Sequence, residues 1–123
     1  MLFLSPLDVL FSQFDVVEPD LLFVSDARRR VVTEKNVQGS PDLVIEVLSS
    51  STRRRDEGIK LALYDRCDVV EYWVVDPKAE LMRVYQRVGG RLTRALELAN
   101  TQGAALSSDV FPGLSLPMAE VFL

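Results

Sequence analysis

The residues of this chain best suited to do chemistry are a glutamate inside an apolar strand and a lysine on the helix that follows it. Leu43–Leu48 is a continuous apolar run except for Glu46, and its β-branched residues favour a buried central strand. An unpaired charge in such a strand costs several kcal/mol. Something must therefore compensate the Glu46 carboxylate, and a metal ion or the ammonium group of Lys60 would do so.

Purely structural interpretations of the same residues stay open. Glu46 could form a buried ion pair with Arg53, Lys60 or another cation and bind no metal. Lys60 could also be a solvated helix lysine, since Asp56 and Lys60 have the i, i+4 spacing of an ordinary surface pair. The arginine tracts at 28–30 and 53–55 could contact phosphate groups, although charge runs are usually only solvated.

Composition restricts the type of protein and of reaction. The 123 residues are 48% hydrophobic and 26% charged, which is typical of one soluble globular domain. Histidine is absent and Cys67 is the only cysteine, which excludes histidine-dependent nucleophiles, intrachain disulfides and cysteine-based zinc sites. The net charge of -4 argues against a generally basic surface that coats nucleic acid. With no apolar run of membrane-spanning length, we expect a cytoplasmic protein with no membrane partner.

Apolar periodicity predicts a sheet built around one principal helix. Strands are predicted at 7–12, 20–25, 43–48, 69–75, 81–87 and 91–98. A hairpin is expected at Gly89-Gly90. Arg53–Arg66 has the pattern of a helix whose core-facing residues are Ile59, Leu63 and Tyr64, or Leu61. The fold class is therefore α+β, a mixed sheet with one principal helix after the central strand.

Two further expectations concern the loop and the centre of the sheet. Residues 26–39 are charged and are expected to form a loop with at most a helical turn near 28–34. Tyr72 and Trp73 adjoin in one strand and must point to opposite faces, so one of them is expected to lie in the core.

Four blocks of the sequence carry a family resemblance: VEPDLLFV, GSPDLVIEVLSSSTRRRDEGIKLALY, VVEYWVVDP and FPGLSLPMAEVF. In this order they resemble the Uma-two-type restriction endonucleases, a branch of the PD-(D/E)XK nuclease superfamily, over about residues 6–123. The resemblance implies one restriction-endonuclease-like domain over 1–123 and Mg²⁺- or Mn²⁺-dependent hydrolysis of DNA. Family members usually carry a further N-terminal region with a metal-site glutamate, and this chain is expected to lack it.

The resemblance also implies which residues hold the metal ion. PD-(D/E)XK sites place an aspartate and a glutamate on neighbouring antiparallel strands, and Asp20 at the start of its strand would lie opposite Glu46 near the end of its own. Asp42 precedes Glu46 by four residues, about 13 Å along the strand. Asp20 is therefore favoured as the ligand, with Asp42 as the weaker candidate. The backbone carbonyl of Val47 is a further expected ligand.

Lys60 would take over from the superfamily's usual lysine. That lysine stands two residues after the glutamate, where this chain has Leu48. A helix packed on the sheet could bring Lys60 over Glu46, where its ammonium group would help activate the attacking water or stabilise charge on the phosphate. Asp20, Glu46 and Lys60 are thus the predicted catalytic residues.

Two alternatives to a DNA endonuclease stay open. One is a catalytically inactive relative that acts as a dimerising or nucleic-acid-binding module, and the other is a structural protein in which Glu46 forms an ion pair. A homodimer is expected, because strands left uncovered without the N-terminal region could be covered by a second subunit.

Overall fold

The computed structural model describes residues 1–4, 7–49, 53–101 and 103–123, without the side chains of residues 53–56 and 94–95. In chain order the elements are β1 (Leu2–Leu4), β2 (Val9–Leu10), β3 (Val16–Val17), β4 (Leu21–Phe23), a 3-10 helix (Asp26–Val31), β5 (Val37–Gln38), β6 (Leu43–Val47), α1 (Arg53–Arg66), β7 (Glu71–Asp76), β8 (Leu81–Val88), β9 (Arg91–Ala99), β10 (Ala105–Leu106), β11 (Leu116–Pro117) and α2 (Met118–Val121). In this part of the chain no helix is both long and apolar enough to cross a bilayer.

The main sheet has six strands in the order β1-β4-β6-β7-β8-β9. β6 and β7 are parallel because α1 connects them as a crossover, and the other neighbouring strands pair antiparallel. Gly89 and Gly90 form the turn between β8 and β9 with φ of 60° and 79°, a backbone conformation that suits a tight hairpin. This mixed sheet with one main helix after its central strand confirms the predicted α+β fold class.

Helix α1 has the bounds that its apolar pattern predicts, but its inner face is different in one respect. Glu57 and Tyr64, spaced i and i+7, are both buried against the sheet. Ile59 is 58% exposed, so the prediction that it faces the core was wrong. Ile59 follows Glu57 by two residues, which is a rotation of about 200° around the helix axis. Because Glu57 faces the sheet, Ile59 therefore lies on the solvent side.

Both faces of the sheet are covered, which corrects the expectation that only one of Tyr72 and Trp73 lies in the core. Tyr72 packs with Val44 and Tyr64 under α1, and Trp73 packs with Leu106 and Met118 from the C-terminal segment. The exposed fractions of the two aromatic residues are 0% and 4%, so both lie in the core rather than one. The sheet is therefore the middle layer between α1 and a small cover made of β10, β11 and α2.

The N-terminal part differs from the predicted pattern of strands. The strand expected at 7–12 is reduced to β2, which pairs with β3 and, in parallel, with β5 in a separate three-stranded sheet. β5 lies inside the region expected to be a loop, and the 3-10 helix replaces the expected helical turn. Val9 and Val37, which pair across β2 and β5, are fully buried, so long-range packing accounts for a strand that local periodicity did not predict.

Candidate active site

The first pair of candidate residues meets across the β4–β6 ladder. Leu21 lies opposite Ile45 in antiparallel register, so Asp20, one residue before β4, continues the ladder opposite Glu46. Asp20 Oδ2 accepts a hydrogen bond of 2.7 Å from the backbone N–H of Val47. This bond holds the Asp20 side chain at the carboxyl end of β6, and each carboxylate oxygen retains a further lone pair.

The second pair joins helix α1 to the same strand. Lys60 Nζ donates a hydrogen bond to Glu46 Oε2 within an ion pair. Glu46 is 6% exposed, whereas the Lys60 side chain keeps 35% of its surface in solvent. Val44 lies in the core under α1, and the two-residue period of a strand places Glu46 on that face too. The structure thus brings Asp20, Glu46 and Lys60 together at one end of β6.

The Lys60 ion pair satisfies only part of the Glu46 carboxylate. Glu46 Oε1 is buried and has no hydrogen-bond partner among the described residues. Burial raises the pKa of Glu46 and the negative charge of Asp20 raises it further, against the opposing effect of Lys60. A purely structural ion pair accounts for Oε2 and leaves Oε1 without compensation, which is costly for a buried charge.

Backbone geometry adds the carbonyl of Val47 to this end of the strand. In an extended strand the N–H and the C=O of one residue point to the same side. The Val47 N–H points to Asp20, so its carbonyl oxygen faces the same edge. Among the described residues no group of three or more histidine, cysteine, aspartate or glutamate side chains could hold a metal ion. A cation here would therefore need ligands beyond Asp20 and Glu46.

Asp42 belongs to the opposite end of β6 and does not join the site. Its Oδ2 accepts a hydrogen bond of 2.6 Å from the N–H of Ser25, and its Oδ1 lies 3.7 Å from Arg28 Nε. Arg28 also donates to the carbonyl oxygens of Ser40, Pro41 and Asp68, so it connects loops around Asp42. The first arginine tract therefore lies far from Glu46, and the side chains of the second, at 53–55, are outside the described part of the structure.

The structure adds a buried cluster that sequence patterns did not indicate. Glu57 accepts hydrogen bonds from Arg83 Nε at 2.7 Å, from Arg83 Nη2 at 2.6 Å and from the Tyr85 hydroxyl at 2.7 Å. Glu57 stands three residues before Lys60 on α1, whereas sequence spacing drew attention to Asp56, whose side chain is not described. The i, i+3 spacing of Glu57 and Lys60 was the available signal that both face the sheet.

Comparisons with known proteins agree with this geometry at the level of fold and family. Residues 1–119 match the family described as Uma2, putative restriction endonuclease. The chain is similar to the crystal structure of a putative nuclease belonging to DUF820 from Anabaena variabilis ATCC 29413, with a TM-score of 0.75, 19% sequence identity and coverage of 98% of this chain. The chain spans 66% of the length of that protein. No curated protein matches the sequence.

Replacement of Glu46 by glutamine should stabilise the metal-free protein at neutral pH. Because burial raises the pKa of Glu46 above its ordinary value of 4.5, the folded state holds this proton more tightly than the unfolded state. The stability contributed by this group therefore falls as the pH rises from 4.5 through the higher folded-state pKa, by about 1.4 kcal/mol for each unit of elevation. Urea unfolding in EDTA should show that the advantage of Glu46→Gln grows from about pH 4 to about pH 8.

The matched control for this experiment is Glu34→Gln, which makes the same change at an exposed position. Its free energy of unfolding should follow that of the wild type at every pH. A Glu46→Gln protein whose stability relative to the wild type does not change with pH would contradict the prediction.

Proposed function

The chain belongs to the Uma2 family of putative restriction endonucleases, and from this premise we propose that it is a metal-dependent endonuclease that hydrolyses phosphodiester bonds in DNA. Asp20, Glu46 and Lys60 are the proposed catalytic residues, in a variant of the PD-(D/E)XK site whose lysine comes from the helix. The observation that carries this proposal is the buried Glu46 carboxylate, with Lys60 on one oxygen, no described partner on the other and Asp20 opposite.

The donor set suits a hard divalent cation such as Mg²⁺ or Mn²⁺. These ions take carboxylate, carbonyl and water oxygens, and Mg²⁺ usually binds through one or two carboxylates together with waters and substrate phosphate. Asp20, Glu46 and the Val47 carbonyl provide such a set at one end of β6. A cation would also favour the ionised form of Glu46, whose pKa burial raises.

The residues of the site have separate tasks in this mechanism. When bound, the cation would lower the pKa of a coordinated water and polarise the phosphoryl oxygen. Lys60, which the ion pair holds beside Glu46, offers a positive charge to the phosphate as negative charge develops there. The Val47 N–H fixes the Asp20 carboxylate through its 2.7 Å hydrogen bond, so this ligand is oriented before any ion arrives.

Metal binding is tested apart from catalysis by thermal unfolding with and without Mn²⁺ or Mg²⁺. The ions should raise the melting temperature of the wild type, because a ligand that binds only the folded state at 100 times its Kd stabilises it by about 2.7 kcal/mol. Glu46→Ala should lose this rise. Asp42→Ala should keep it, since Asp42 lies at the other end of β6. An equal rise in the wild type and in Glu46→Ala would disprove the metal site.

DNA hydrolysis is tested by incubating supercoiled plasmid with Mn²⁺ and the purified protein. The wild type should nick the plasmid, and Glu46→Gln, Asp20→Asn and Lys60→Ala should each lower the rate at least about 100-fold, because each removes a group that stabilises the transition state. Lys78→Ala is the matched lysine control, at an exposed turn position, and should retain activity.

Two results of the plasmid experiment would overturn the endonuclease. Equal nicking by the wild type and all site variants would identify a contaminating nuclease. A wild type that binds Mn²⁺ and does not nick DNA would favour the other candidate, a catalytically inactive relative that binds nucleic acid or dimerises.

We also propose that the protein forms a homodimer through β1. This strand lies at the outer position of the six-stranded sheet, with Leu2 60% and Leu4 68% exposed on the same face. An apolar outer strand of this kind favours pairing with a second chain. Light scattering after size exclusion should give a dimer for the wild type and a monomer for Leu4→Lys. Val88→Lys, at a 65% exposed position of β8, should stay dimeric. A monomeric wild type would exclude this interface.

A further inference from the structure

Three buried polar atoms beneath α1 have no hydrogen-bond partner among the described residues: Glu46 Oε1, Tyr64 OH and Tyr72 OH. Tyr64 and Tyr72 are both 0% exposed, so bulk solvent does not reach their rings. Buried polar atoms of folded proteins nearly always have a protein or water partner. Three such atoms lie in the layer between α1 and the sheet, and each of them is therefore expected to have a water partner.

The fold brings together the residues that carry these three atoms. Tyr72 lies opposite Val44, two residues before Glu46 and on the same face of the sheet. Tyr64 follows Lys60 by one turn of α1, and Lys60 holds the other oxygen of the Glu46 carboxylate. The rings of Tyr64 and Tyr72 meet edge to face, with centroids 4.9 Å apart.

Electrostatics points to the same proximity. Burial raises the pKa of both tyrosine hydroxyls, and the negative charge of Glu46 is the next largest cause for each. Both hydroxyls are therefore protonated at neutral pH and can donate hydrogen bonds. Neither of them donates to Glu46 directly, since none of the three atoms has a hydrogen-bond partner among the described residues.

We propose that Glu46 Oε1, Tyr64 OH and Tyr72 OH form a buried binding site for one water molecule. The water would accept hydrogen bonds from the two hydroxyls and donate one to the carboxylate oxygen. Three partners is the usual number for a buried structural water. The water would occupy one lone pair of Oε1 beneath α1, and the carboxylate would keep further lone pairs for the cation proposed beside Asp20 and the Val47 carbonyl.

The site would connect Glu46 to the elements on either side of it. The water joins the carboxylate of β6 to Tyr72 on β7 and to Tyr64 on α1, while Lys60 holds the other oxygen. Tyr85, whose ring stacks on Tyr72 with centroids 5.5 Å apart, shows the contrasting arrangement, since its hydroxyl donates directly to Glu57 at 2.7 Å.

Replacing one tyrosine by phenylalanine tests whether its hydroxyl is bound to the water or has no partner. Tyr72→Phe and Tyr64→Phe should each lower the melting temperature of the metal-free wild type, by about 3–5 °C. In a Glu46→Met background, which lacks the acceptor, the same substitutions should have little effect. Tyr85→Phe is the matched control and should lower the melting temperature equally in both backgrounds, because its partner is Glu57.

Two results would overturn the water site. An isolated buried hydroxyl is unfavourable, so a melting temperature that rises or stays constant on Tyr72→Phe would show that no water binds there. An equal fall in both backgrounds would show that the hydroxyls act without Glu46. The experiment is done in EDTA without DNA, so its outcome does not depend on the proposed nuclease activity.

A crystal structure of the wild type provides a second test that needs no variant. Electron density for an ordered water within hydrogen-bonding distance of Glu46 Oε1, Tyr64 OH and Tyr72 OH is expected. A well-ordered site in which the three atoms have rotated to bond one another, or contact no water, would refute the inference even if Glu46→Met fails to fold.

Discussion

The burial of the Glu46 carboxylate between the central strand and α1 is the constraint on which the rest of this structure depends. A charge in that position requires a cation from the covering layer, and α1 provides it by crossing from β6 to β7 with Lys60 on its inner face. One turn earlier, Glu57 binds Arg83 on β8 in a bidentate ion pair. The two pairs have opposite polarity, with the acid on the strand in one and on the helix in the other. Together they restrict how α1 can rotate or slide over the sheet.

Three buried glutamates in the described part of the chain differ in how their carboxylates are compensated. Glu71 accepts hydrogen bonds from Trp73 Nε1 and Ser108 Oγ on the face away from α1. Glu57 has both oxygens bound by Arg83, one of them also by Tyr85. Glu46 alone among the three has an oxygen with no hydrogen-bond partner among the described residues, and burial raises its pKa. Folding stability would be better served by a saturated acid or by an apolar residue. Unfavourable burial of this kind is typical of a group retained for binding or catalysis.

Local sequence patterns predicted the strands and the helix next to the site. The buried Glu57–Arg83 pair and the burial of Trp73 depend on long-range packing and were not predicted. The apolar run around Glu46, the helix at Arg53–Arg66 and the glycine hairpin each follow from a single window of sequence. Asp20 opposite Glu46 also followed, since the start of one antiparallel strand lies opposite the end of the next. The Glu57–Arg83 pair joins residues 26 positions apart, and no window contains both. Trp73 is buried by Leu106 and Met118, which are further away still in sequence, so its burial could not be read from the pattern of its own strand.

Because Lys60 lies on α1 and not on the strand of Glu46, its position depends on how the helix packs against the sheet. A lysine two residues after Glu46 would reach the carboxylate from the same strand, and its placement would need only the strand itself. Leu48 occupies that position here, and the cation arrives from α1 across the interface between helix and sheet. The distance between Lys60 and Glu46 then depends on how α1 docks, and thus on Glu57, Arg83 and the tyrosines that pack between them. A perturbation of this helix–sheet interface would displace the ammonium group without touching the carboxylates. The buried polar contacts under α1 are therefore part of what places Lys60 beside Glu46.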